Sequence, residues 1–135
     1  MACPYFEPRR VSAPIEGAGR LPLIDEYDGL CHAAAQAFPV PVELRLRCCN
    51  HGNSRGTCPH LPKDEVRSSF RYEMVKRTSA ALELLLVEER DYAPFRWQTV
   101  RYSLEGEALE PEISDSAKQA QIRAFCRSFL EHFPA

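Results

Sequence analysis

Polar and apolar residues follow strand-like patterns in three stretches of the second half of the chain. Residues 68–76 alternate around Phe70 and Tyr72, residues 81–88 are almost continuously apolar, and residues 95–104 alternate again. A period of two predicts half-buried strands, and a stretch that is apolar on both sides is typical of a central strand. Because the links between these stretches are short, we expect an antiparallel meander.

A single helix over residues 64–90 is the competing interpretation. That stretch contains no glycine and no proline, and residues 80–90 are rich in good helix formers. We favour the strands because aromatic residues alternate with polar ones at its start.

The C-terminal segment predicts an amphipathic helix over residues 116–133. Its apolar residues recur at helical spacing, at Ile122, Phe125, Phe129 and Phe133. Ser116 and Gln119 fit a capping box, and Cys126 lies beside the apolar stripe as a small buried residue. We expect this helix to pack on one face of the sheet.

The first part of the chain has a different composition. Residues 1–63 hold 8 of the 11 prolines, 5 of the 6 glycines and 5 of the 6 cysteines, which predicts loops with short elements. Residues 33–38 predict a short helix. Residues 42–48 predict either a short strand or one helical turn that starts at Pro41.

Together these patterns predict an α+β fold. It consists of a small antiparallel sheet, a C-terminal helix packed on that sheet, and a loop-rich N-terminal region pinned by its cysteines. With 135 residues we expect one domain, in which residues 1–63 carry the cysteine site and residues 64–135 form the sheet and helix framework.

Charge and hydropathy limit the classes of partner and the cellular compartment that we expect. The formal charge is −2, so electrostatics gives no reason to expect nucleic acid or a membrane surface as a partner. No stretch approaches the ~18 consecutive apolar residues of a membrane span, and residues 1–10 lack the apolar segment of a secretory signal. We therefore expect a cytoplasmic protein, where clustered cysteines more often indicate metal or redox chemistry than disulfides.

The candidate chemistry is a metal site built from thiolates, which are soft, charged ligands for zinc and iron–sulfur clusters. We assign Cys3, Cys31, Cys49 and Cys58 as ligands. If residues 42–48 form a strand, Cys48 points to its apolar side and is a buried neighbour of the site. Cys48 and His60 remain substitutes in this ligand set.

The surroundings of these cysteines are typical of ligand loops. Cys3 and Cys58 are each followed by proline, which stiffens the loop. The loop of residues 50–57 contains Gly and Asn, which tolerate positive φ and allow backbone N–H groups to turn inward. Arg55 in the same loop offsets negative charge at the centre.

Spacing favours a [4Fe–4S] cluster over zinc. The four ligands are separated by 27, 17 and 8 residues, and no Cys-x2-Cys pair is present, whereas structural zinc sites usually contain close pairs. The expected function is electron transfer or redox sensing. The alternatives are a zinc-stabilised protein-interaction module with an unidentified protein partner, and a metal-free thiol switch that uses Cys48 and Cys49.

The chain contains no motif that establishes an enzyme. Residues 52–56 match Gly-x-Ser-x-Gly, but the sequence that follows Ser54 contains two prolines and cannot open the helix that a hydrolase needs. We therefore expect a binding protein more than an enzyme.

Four segments of the sequence resemble a group of small uncharacterised bacterial proteins with four spaced cysteines. They are Cys3-Pro4-Tyr5-Phe6, Tyr27-Asp28-Gly29-Leu30-Cys31, Cys49-Asn50-His51-Gly52 through Arg55 to Cys58, and Glu88-Glu89-Arg90-Asp91-Tyr92-Ala93-Pro94. The resemblance covers most of the chain. It implies a bacterial, cytosolic protein with a cysteine site, and it carries no known activity.

Overall fold

A computed structural model describes residues 2–12, 21–50, 58–60, 68–90 and 93–134. The elements in chain order are β1 (Phe6–Val11), β2 (Tyr27–Cys31), β3 (Phe38–Pro39), α1 (Val42–Leu44), a π-helical turn (Arg45–Asn50), β4 (Ser68–Arg77), β5 (Ala81–Arg90), β6 (Ala93–Ser103), β7 (Leu109–Glu110) and α2 (Ser116–His132). Antiparallel sheets with a C-terminal helix confirm the α+β class.

Strands β4 to β7 form a four-stranded antiparallel meander in chain order. This confirms the three predicted strands, and it rules out the competing interpretation of a helix for residues 68–90. Leu84 lies opposite Met74 on β4 and Val100 on β6, and all three face the core side of the sheet. Pairing across three long strands outweighs the helix propensity of residues 80–90 because propensity is a weak local preference.

The N-terminal part contains a second sheet, in the order β1-β2-β3. Phe6 on β1 pairs with Cys31 on β2, and Cys31 pairs with Phe38 on β3. The short helix predicted over 33–38 is therefore wrong: residues 33–36 form bends and Phe38 joins the sheet. Nucleating a helix is unfavourable, and so short a segment forms too few helical hydrogen bonds to compensate for it. Pairing with β2 instead gives Phe38 and Pro39 a place in the sheet.

Helix α2 begins and ends close to the predicted positions. Its cap is Asp115, whose carboxylate accepts the backbone N–H of Lys118 at 3.0 Å, so the predicted cap at Ser116 is wrong. Ile122 and Phe125 are buried as expected, while Phe133 is exposed. Phe125 stacks on Tyr72 of β4 with ring centroids 5.6 Å apart, which places the helix against the meander.

One set of buried residues joins the two parts of the chain. It includes Phe6 and Tyr27 from the first sheet, Leu84 from the meander, and Ile122 from α2. None of the helices in the described part of the chain is long and apolar enough to cross a membrane.

Candidate metal centre

Cys3 is fixed by contacts with the meander and with α2. The preceding residue, Ala2, exchanges two backbone hydrogen bonds with Phe70 of β4, at 2.7 and 2.8 Å. The Cys3 carbonyl then accepts the backbone N–H of Phe6 at 3.1 Å and the side-chain amide of Gln121 at 2.7 Å. The Cys3-to-Phe6 turn therefore has a defined position although it lies in a loop.

Cys31 ends β2 directly opposite β1. The next residue, His32, donates its backbone N–H to the carbonyl of Tyr5 at 2.8 Å, and its ring Nε2 lies 2.9 Å from the Glu7 carboxylate. These contacts hold the two strand ends together, so that the loops carrying Cys3 and Cys31 are neighbours. The pairing of β1 with β2 thus brings together two cysteines that are separated by 27 intervening residues.

Cys48 and Cys49 lie in the π-helical turn, and both are buried. The segment begins as a helical turn after Pro41, the second of the two structures that the sequence allowed. The strand alternation that directed Cys48 away from the site is therefore wrong. Successive side chains of a helical turn are not directed to opposite sides as they are in a strand, so two adjacent thiols reach one region.

Buried polar contacts hold this turn against β2. The Asn50 side chain accepts the Tyr27 N–H at 2.8 Å and donates to the Tyr27 carbonyl at 2.9 Å and to the Arg45 carbonyl at 2.7 Å. The Arg45 guanidinium pairs with the buried carboxylate of Glu26 at 2.8 Å. The end of the turn is thus bonded through side chains to the strand that ends in Cys31.

All five N-terminal cysteines line one cavity. Its walls comprise Cys3, Tyr5, Phe6, Cys31, Ala33, Cys48, Cys49, Cys58 and His60. Cys3, Cys31 and Cys58 are partly exposed, whereas the two cysteines of the turn are buried. The four cysteines predicted as ligands are therefore together, and both residues considered as substitutes, Cys48 and His60, lie beside them.

Burial and crowding disfavour negative charge on these sulfur atoms. Desolvation raises the pKa of Cys49, and the nearby thiols of Cys3, Cys31, Cys58 and Cys48 raise it further. The pKa of Cys3 is raised for the same two reasons. Thiolates packed together in an apolar cavity need positive charge, and a metal centre supplies it by displacing their protons.

Backbone hydrogen bonding opposes part of this effect. A hydrogen bond from the Phe6 backbone lowers the pKa of Cys3 and one from the Ala33 backbone lowers the pKa of Cys31, in each case against the larger effect of burial. Such donors stabilise a thiolate, and N–H groups directed at sulfur tune iron–sulfur centres.

The side chains that line the cavity are of the types that bind zinc and iron–sulfur clusters, but in the described part of the chain their arrangement does not form a metal site. All six cysteines are free thiols. Among the described residues, no three His, Cys, Asp or Glu side chains are arranged so that they could hold a metal ion together. The site is thus defined by the cavity that the five thiols share.

Some predicted features fall outside the described residues. The loop of residues 51–57, with Arg55, His51 and Ser54, is one of them. Sequence reasoning also missed two buried polar residues that position the site, Asn50 and Gln121. For Gln121 a signal existed, because it lies four residues after Ala117 and four before Phe125, on the buried stripe of α2.

We compared the chain with protein families, curated proteins and solved structures. No family model matches it, and no curated protein and no solved structure matches it either. The function is therefore inferred from the residues themselves.

Proposed function

We propose that this protein binds a [4Fe–4S] cluster through Cys3, Cys31, Cys49 and Cys58 and acts in electron transfer or redox sensing. The observation that carries the proposal is the single cavity lined by five free thiols. We place the protein in the cytoplasm, because that compartment keeps cysteine thiols reduced.

The origin of the ligands supports a cluster over a single zinc ion. Cys3, Cys31 and Cys58 come from three separate segments, and a helical turn supplies the fourth thiol. Structural zinc sites usually take at least one close pair of cysteines two to four residues apart. A cluster contains several metal atoms and is wider, so it suits thiols brought from separate loops.

The surrounding residues have two roles in this proposal. Backbone hydrogen bonds from Phe6 and Ala33 stabilise the thiolate form of ligand cysteines. Tyr5, Phe6 and Ala33 make much of the remaining wall and limit contact with water. A bound cluster would supply the capacity to take up and release one electron. In electron transfer that electron is exchanged with a protein partner, whereas in redox sensing the oxidation state of the cluster reports the redox state of the cell.

Zinc is the second candidate, and one contact favours it. His60 lines the cavity beside Cys58, and its ring packs on Phe38 with centroids 4.8 Å apart. Imidazole together with thiolates is a common zinc ligand set. In that case the metal stabilises the N-terminal region, and the protein is an interaction module.

The test is anaerobic purification followed by a visible spectrum and counts of iron, sulfide and zinc. A brown protein with absorbance near ~400 nm and matching iron and sulfide supports the cluster. One zinc per colourless chain supports the interaction module instead. A metal-free protein whose thiols oxidise reversibly supports the thiol switch, and either of these last two results overturns the proposal.

Alanine variants assign the ligands. Cys49 is the proposed ligand of the turn because its carbonyl accepts the backbone N–H of Cys3, another proposed ligand, at 3.3 Å. We expect Cys49→Ala to remove the metal and Cys48→Ala to retain it; the reverse result exchanges the roles of the two residues. Cys126→Ala is the matched control, because Cys126 is fully buried in α2 and does not line the cavity. If Cys126→Ala removed the metal as completely as Cys49→Ala, the loss would reflect unfolding and not ligation.

A further inference from the structure

Gln121 is a fully buried polar residue in the middle of α2. Its amide nitrogen donates to the carbonyl oxygens of Cys3 and Phe6, at 2.7 and 2.8 Å. Its amide oxygen accepts the hydroxyl of Tyr72 at 2.8 Å. One side chain thus uses both donors and its acceptor to connect α2, the meander and the loop that carries Cys3.

The two carbonyl groups that Gln121 holds are the ends of the Cys3-to-Phe6 turn. Within that turn, the Phe6 N–H donates to the Cys3 carbonyl at 3.1 Å. Fixing both carbonyls fixes the peptide units between them. The direction of the Cys3 side chain therefore depends on where Gln121 places the turn.

We propose that Gln121 is a positioning residue for the metal site, which holds the Cys3-to-Phe6 turn in place and thereby sets the orientation of the Cys3 side chain. The claim about metal retention rests on the proposed function, whereas the claim about the Cys3 turn does not. A group outside the ligand set that orients a ligand commonly changes metal affinity by about 10- to 100-fold when it is removed.

Gln121→Glu is the first variant for the test. It keeps the size of the side chain and an oxygen for Tyr72, but it removes both N–H donors to the turn. Gln121→Met removes all three bonds at similar volume. In reduced, metal-free protein, the rate at which iodoacetamide alkylates each cysteine is measured by mass spectrometry. We expect Cys3 to react several-fold faster in both variants, while the rate at Cys126 stays unchanged.

Ser128→Ala is the matched control. Ser128 is also a buried polar residue of α2, and its hydroxyl bonds to Tyr27. Tyr27 keeps a second partner, the Ala124 carbonyl at 2.9 Å. We expect Ser128→Ala to leave the ratio of the Cys3 rate to the Cys126 rate unchanged. A general loosening of the fold would instead accelerate both thiols together in the Gln121 variants, and that result overturns the proposal.

The metal-loaded protein gives the second readout. With iron and sulfide supplied, we expect Gln121→Glu to weaken retention of the centre against a chelator by about 10-fold, and Ser128→Ala to have no such effect. If the wild-type protein binds no metal, the proposed function fails and the alkylation ratio alone decides the role of Gln121. An unchanged Cys3 rate in both Gln121 variants would falsify that role.

Discussion

The two sheets of this protein are stabilised in different ways. The first three strands of the meander contain 10, 10 and 11 residues, so long backbone ladders and apolar side chains stabilise it. The strands of the N-terminal sheet contain 6, 5 and 2 residues. There, buried polar side chains such as Asn50 and Gln121 bond directly to the backbone. A region with short strands thus obtains a defined geometry from side-chain amides, and in our proposal also from a metal.

The largest expected effect is in the apolar core of the meander. Leu84 is fully buried between Met74 and Val100. Leu84→Ala should lower the free energy of unfolding by about 2–5 kcal/mol because it removes apolar burial and leaves a cavity. Chemical denaturation measures the loss. A decrease of only a few tenths of a kcal/mol would mean that the meander does not depend on this core.

Asn50 tests whether buried polar side chains stabilise the N-terminal sheet. Asn50→Ala removes three hydrogen bonds, two of them buried, to backbone groups of Tyr27 and Arg45. We expect a loss on the order of 2–3 kcal/mol, together with weaker metal binding, because the turn that carries Cys49 is released. Leu84→Ala should leave metal affinity unchanged under conditions where the protein stays folded. Equal metal loss in the two variants would remove the distinction between the regions.

Gly29 tests how closely the short strands approach each other. A Cβ built at this position would lie 2.0 Å from the carbonyl oxygen of Glu7 on β1, so β1 must move away in Gly29→Ala. We expect a loss of about 1–3 kcal/mol, as for other overpacked sites, together with a change in amide exchange along β1 and β2. Stability unchanged from the wild type would show that the strands separate at no cost.

Gly106 is the matched glycine in the meander. It has φ of +76° and no atom within 4 Å of an added Cβ, so only the backbone conformation opposes a side chain. Gly106→Ala should therefore cost about 1 kcal/mol. Gly106→Asn should cost less, because asparagine tolerates this conformation, and the same denaturation measurement compares the two. An equal cost would point to a steric cause.

The smallest effect is electrostatic and belongs to the turn after β6. Hydrogen bonds from the Arg127 guanidinium hold the pKa of Glu107 at about 2, below its ordinary value of 4.5. Since the folded pKa is the lower one, this stabilisation is complete above pH 4.5 and is lost as the pH falls towards 2. In Glu107→Gln, the free energy of unfolding should therefore decrease less than in the wild type as the pH is lowered from 4.5 towards 2. If the free energy of unfolding depended on pH equally in the variant and the wild type, the ion pair between Glu107 and Arg127 would not contribute to stability.

The sequence was a good guide where long patterns decide the structure. Alternation around Phe70 and Tyr72 predicted β4, and the spacing of Ile122 and Phe125 predicted α2. It failed over residues 33–38 and at Cys48, where a few residues take the conformation that neighbouring strands impose. Proximity of Cys3 and Cys31 depends on the pairing of β1 with β2, which local periodicity does not encode.

The hydrogen bond from Gln121 to the Cys3 carbonyl joins residues 118 positions apart. On the ribosome, the first cysteine emerges long before the helix residue that holds its loop. The Cys3 loop therefore gains this contact only after residue 121 has been synthesised. In our proposal the metal centre is accordingly inserted after that point, and a nascent chain stalled before residue 121 should retain metal less well than the full chain.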